Sequence, residues 1–167
     1  MAQPELISHW NQLIDGLEHS SDSFYKTFEA KLAERKMPGV KVDRTDFAEG
    51  GLFSARRTYL RIRRDELTYH ICAAPFGEKY FFFSAWLHGN TGCLATLASI
   101  PGLGLLIRIL LRPLTFYYID STMMFQSAVH TLLMTEIDEL TKAQNLQPLS
   151  AEQRKPILSE FYAKPKR

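Results

Sequence analysis

Between Tyr80 and Ile119 the chain carries no aspartate and no glutamate. Arg108 and Arg112 are the only full charges there, and His88 is the only other ionisable nitrogen. A stretch this apolar is not a solvated loop or a disordered tail; it must be buried in a core, against a partner or in a bilayer. Cysteine is also scarce. Cys72 and Cys93 are the only two, too few for a disulfide framework, and both read as reduced small hydrophobes. The chain has no G-x-G-x-x-G, P-loop, G-x-S-x-G, HxH, HExxH or CxxC pattern. It therefore gives no support to a phosphate cradle, a serine-hydrolase elbow or a zinc set, and no catalytic residue, cofactor or metal is assigned. The opening Met-Ala-Gln-Pro-Glu-Leu lacks a basic region followed by an apolar run. The expectation is a cytoplasmic protein, or one on the cytoplasmic face of a membrane. A net charge of +2 is too small to argue for a polyanionic partner.

What is present fits one folded unit over residues 1–167: 46% of the residues are hydrophobic and 23% charged, enough for a sizeable core. The predicted class is α+β. Residues 4–35 read as one long amphipathic helix, with an interruption at Ser20-Ser21, because Leu6, Ile7, Trp10, Leu13, Ile14, Leu17, Phe24, Tyr25, Phe28 and Leu32 recur at three- and four-residue spacing. Pro38-Gly39 stops it. Beyond Val40 the period falls to two. Val40–Val42, Leu52–Arg64, Leu67–Ala74 and Tyr80–Leu87 predict a three- to four-stranded antiparallel meander, with turns at Arg64-Asp-Glu66 and Pro75-Phe-Gly77.

Residues 93–118 predict a bent apolar helical hairpin broken at Pro101-Gly102. A long helix from about Asp120 to Asn145 follows. A short final helix is expected after Ser150, where Ser150 and Gln153 have capping-box spacing.

Three candidate sites emerge. The first is the 93–118 hairpin as a surface for a membrane or an apolar partner. Arg108 and Arg112 share one helical face, Leu103, Leu106, Ile107, Leu110 and Leu111 fill the rest, and Phe116 and Tyr117 trail as interfacial aromatics. Pro101, three glycines and several polar residues between Gly89 and Ile107 argue against a single spanning helix. This surface predicts a non-enzymatic interaction or scaffold protein, with a protein partner or self-association and with peripheral membrane contact.

The second site is the Arg56–Arg64 hairpin. Strand alternation puts Arg57, Tyr59, Arg61 and Arg63 on one face, where guanidinium groups beside aromatics could hold phosphates; nucleic acid is the less favoured ligand. The third is a thiol enzyme with Cys93 as nucleophile. The string His88-Gly-Asn90-Thr-Gly-Cys93 resembles the His-Pro-Asn turn that precedes the catalytic cysteine of ubiquitin-conjugating enzymes. Gly89 stands where that family has proline, and the gap from histidine to cysteine is shorter than the family's.

Overall fold

Alternation in the middle of the chain becomes strand, as expected, but the sheet is larger than the sequence suggests. The computed structural model describes residues 5–48, 56–89 and 115–163. Their elements are β1 (Glu5–Asp15), α1 (Ser21–Glu34), β2 (Val40–Ala48), β3 (Arg56–Arg64), β4 (Leu67–Phe76), β5 (Tyr80–Gly89), α2 (Phe116–Ala143), β6 (Ile157–Leu158) and the single turn α3 (Glu160–Ala163). All pairings are antiparallel, and the six strands lie in the order β2-β3-β4-β5-β1-β6.

The long N-terminal helix is corrected by this arrangement. Its first half is strand β1, paired along its length with β5, and only its second half is helical. Trp10 and Ile14 are four residues apart, a separation that suits a helix and is also even, so both side chains reach the same face of a strand. A register shift between Leu6 and Ser8 supplies the odd step that brings Ile7 into the same core. Ser20 caps α1, its side chain accepting from the Ser23 amide at 3.1 Å. The apparent interruption at Ser20-Ser21 is thus the true start of the helix.

The helical hairpin over residues 93–118 lies outside the described residues up to position 114. From Thr115 onward its expected tail belongs to α2, which starts at Phe116 rather than near Asp120 because Thr115 caps it, accepting from the Tyr118 amide at 3.2 Å. The final helix is also corrected. Ser150 and Gln153 do make the reciprocal bonds of a capping box, at 3.2 and 2.8 Å, yet they close only the turn at 151–154 before β6 and the one-turn α3.

Both long helices cover one face of the sheet. Phe24, Tyr25, Phe28 and Leu32 of α1 and Phe125, Val129, Leu133 and Ile137 of α2 meet Leu60, Ile62, Tyr69, Ile71, Phe83 and Leu87 in one apolar cluster. Phe24 packs against Phe83 with ring centres 5.2 Å apart, and Phe125 meets Tyr69 edge-on at 6.3 Å. The β3–β4 ladder runs only from Arg64↔Leu67 to Leu60↔Ile71. Past that point the Tyr25 hydroxyl stands between the strands, donating to Thr58 O at 2.8 Å and accepting from the Ala73 amide at 2.9 Å. It satisfies backbone groups that the parting ladder would leave unpaired.

Ion pairs tie the helices together and to the sheet. Lys31 reaches Glu136, whose side chain is 3% exposed, at 2.6 Å. Arg44 of β2 bridges to Glu29 and Asp22 of α1. The segment after α2 is clamped by Trp10 Nε1 donating to Gln153 O, by Arg154 forking onto Asp138, and by His130 Nε2 donating to Arg154 O. Among the described residues no helix is long and apolar enough to cross a membrane.

Candidate functional site

The other face of the sheet gathers charged and aromatic side chains. Antiparallel register fixes which side chains stand side by side on it. One row runs Lys41, Arg63, Thr68, His88; the next runs Asp43, Arg61, His70, Trp86, His9. Each row crosses from the β2 edge through β3 and β4 to β5, and the second continues to β1. Leu60, Ile62, Tyr69, Ile71, Ala85 and Leu87 alternate with them and are buried against the helices, so packing holds this register: a one-residue slip would turn the apolar set outward.

A cavity of about 540 Å³ opens over these rows, lined by Phe47, Tyr59, Arg61, Arg63, Thr68, His70, Trp86 and His88. That volume suits a small molecule. Most of the lining residues carry rings. Phe47 stands edge-on to both Tyr59, at 5.2 Å, and His70, at 5.3 Å. His9 stacks on Trp86 at 5.2 Å with the planes 17° apart, and His70 and His88 lie 5.9 Å apart.

The electrostatics are lopsided. Among the described residues the lining has two guanidinium groups and no carboxylate. Asp43 sits behind Arg61 and holds it in a fork, with Nε to Oδ1 at 2.9 Å and Nη2 to Oδ2. Arg61 in turn keeps the Asp43 carboxyl below the usual range. Arg63 reaches the same carboxylate only at 3.4 Å, so one carboxylate serves two guanidiniums and the wall keeps a surplus positive charge. Burial pushes His70 down to about 4, helped by His88 and Arg61 and opposed by Asp43. Burial also lowers His88, whose Nδ1 is buried without a hydrogen-bond partner among the described residues. Deeper on the same face Cys72 is buried, and that burial raises its thiol against the pull of Arg57 and Tyr59.

The sequence-predicted residues fare differently. Tyr59, Arg61 and Arg63 line the cavity, and Arg57 lies on the same strand face beside Tyr59 and Cys72. Leu103, Leu106, Ile107, Arg108, Leu110, Leu111 and Arg112 lie outside the described residues, as does Cys93. Phe116 and Tyr117 open α2 and are 85% and 82% exposed. His88 and Gly89 are strand residues, paired with Thr68 and Leu67 of β4, not the start of a turn. No group of three His, Cys, Asp or Glu side chains that could hold a metal is gathered among the described residues.

Phe47, Thr68, His70, Trp86 and His88 were not singled out from sequence for this site. The signal was available: carrying the pairing through the short Gly77-Glu-Lys79 turn sets His70 beside Trp86 and Thr68 beside His88. No protein-family model, curated protein or solved structure matches the chain.

Proposed function

We propose that this chain is a non-enzymatic binding module whose sheet-face cavity takes a small ligand joining an aromatic or apolar body to an anionic group. One observation carries the reading: Arg61 and Arg63 enter the same cavity as Tyr59, Phe47 and Trp86, with a single carboxylate between the two guanidiniums. The planar guanidinium fork suits carboxylate, sulfonate or phosphate oxygens, and the rings suit a flat or apolar body. A ligand-sized cavity favours a small anion over nucleic acid.

Binding of phenyl phosphate, followed by calorimetry at low and high salt, tests this. Affinity should fall as salt rises, and Arg63→Ala should weaken it about tenfold, the loss of one charge-assisted contact of roughly 1.5 kcal/mol. Equal affinity in wild type and variant contradicts the reading.

A second reading, peripheral contact with a membrane or an apolar partner through residues 93–118, draws on the exposure of Phe116 and Tyr117 at the end of the acid-free stretch. A location in the cytoplasm or against the cytoplasmic face of a membrane belongs with it. Sedimentation with anionic vesicles tests the membrane version, and Phe116→Ser with Tyr117→Ser should reduce co-sedimentation. A monodisperse monomer that ignores vesicles contradicts both the membrane version and self-association.

A further inference from the structure

We propose that the cavity takes up a proton together with its anion, and that the His70–His88 pair is the acceptor. The inference rests on the anion-binding reading and concerns how that same site is regulated. Its basis is geometric. The two imidazoles stand 5.9 Å apart in the wall of one cavity, on adjacent strands whose register is locked by the core. His70 and His88 both border the cavity, so an occupant meets an imidazole from each of two adjacent strands.

Among the described residues, the groups that face this pair come from three neighbouring strands. Arg61, Arg63 and Tyr59 come from β3, Asp43 and Lys41 from β2, and His9 from β1 behind Trp86. Among the described residues three of them are cations, and the one carboxylate, Asp43, is shared between Arg61 and Arg63. A protonated imidazole loses solvation here, and at His70 it also meets the charge of Arg61, so burial biases both rings toward the neutral form. An anion reverses this balance. It offsets the arginines and gives an imidazolium N–H a charged acceptor, so a ring that was neutral gains a proton as the anion enters. The proton comes from solvent and is bound at a ring nitrogen; no other bond forms or breaks. Linkage is reciprocal: if the anion raises the affinity for the proton, falling pH raises the affinity for the anion by the same factor.

The probe is naphthalene-2-sulfonate, which keeps one negative charge from pH 5 to pH 8, so any pH dependence belongs to the protein. Full-length protein is titrated calorimetrically at several pH values in buffers of different ionisation enthalpy. Affinity should rise by about tenfold or more between pH 7.5 and pH 5.5, with heats that show net proton uptake. His70→Gln combined with His88→Gln should flatten the profile, whereas Arg63→Ala should weaken binding and still leave affinity rising toward low pH. The wild-type protein gives an independent check, since the histidine ring protons observed by NMR should report a raised pKa for His70 or His88 once the sulfonate is bound. Binding with a flat pH profile and no proton uptake overturns the coupling and leaves the cavity reading standing. No binding at any pH overturns both.

Discussion

Tyr25 does at one atom what a stretch of strand pairing does elsewhere. Its hydroxyl serves Thr58 O and the Ala73 amide where β3 and β4 part. Tyr25→Phe keeps the ring and removes that service, leaving buried backbone groups unpaired, so it should cost about 1–3 kcal/mol in urea unfolding. A change within error would mean that water replaces the hydroxyl. His70 yields a pH prediction. Its folded pKa, about 4, lies below the ordinary 6.5, so the unfolded chain takes up the proton first. The stability tied to its neutrality is complete above pH 6.5 and is lost as pH falls toward 4. His88 and His130, both lowered by burial, act in the same direction. Thermal melts between pH 8 and pH 4.5 should show Tm falling through this window, with a shallower fall in His70→Gln. A flat Tm would contradict the burial of these rings.

At the scale of elements, α2 and α1 are joined through Lys31, which meets buried Glu136 and exposed Glu139. Lys31→Ala leaves the Glu136 carboxylate without its cation and should destabilise the fold by roughly 2–3 kcal/mol, less than a fully buried pair because Lys31 itself is partly exposed. Lys31→Ala with Glu136→Gln should recover part of the loss. A single variant as stable as wild type would show that the Lys31–Glu136 pair makes no net contribution to the fold.

Elements also show how far sequence reasoning reaches. The strands β3 and β4 are legible because their residues alternate between two unlike faces, and β5 because it is a short run rich in aromatics, on both faces, behind a turn. The shared face of Arg57, Tyr59, Arg61 and Arg63 follows from the same alternation. β1 is not legible because an even spacing of four and a register shift imitate the helical period in Leu6–Ile14. The histidines of the cavity escape notice for a related reason. His70 and His88 are far apart in sequence and isolated in type, and only the pairing register through the Gly77 turn makes them neighbours. The start of α2 is hard to read because the apolar residues before Asp120 resemble the tail of the hairpin, while the signal that counts is the single cap Thr115.

The whole molecule divides its sheet between two tasks. One face is filled by helices and supplies cohesion; the other gathers rings and guanidiniums around a cavity. The cavity's side chains, drawn from four strands, keep their places only because the opposite face is packed, so the site should be stiff and a ligand should bind with little change of backbone. The two tryptophans report on the two faces separately. Trp10 is buried among the helices and donates to Gln153 O, while Trp86 lines the cavity. The most direct test of the account is therefore an NMR titration of the indole N–H signals with naphthalene-2-sulfonate at pH 5.5. Trp86 should show a saturable shift with Trp10 unmoved, abolished or strongly weakened by Arg63→Ala. An unmoved Trp86 at millimolar probe, or a response at Trp10 instead, would contradict it.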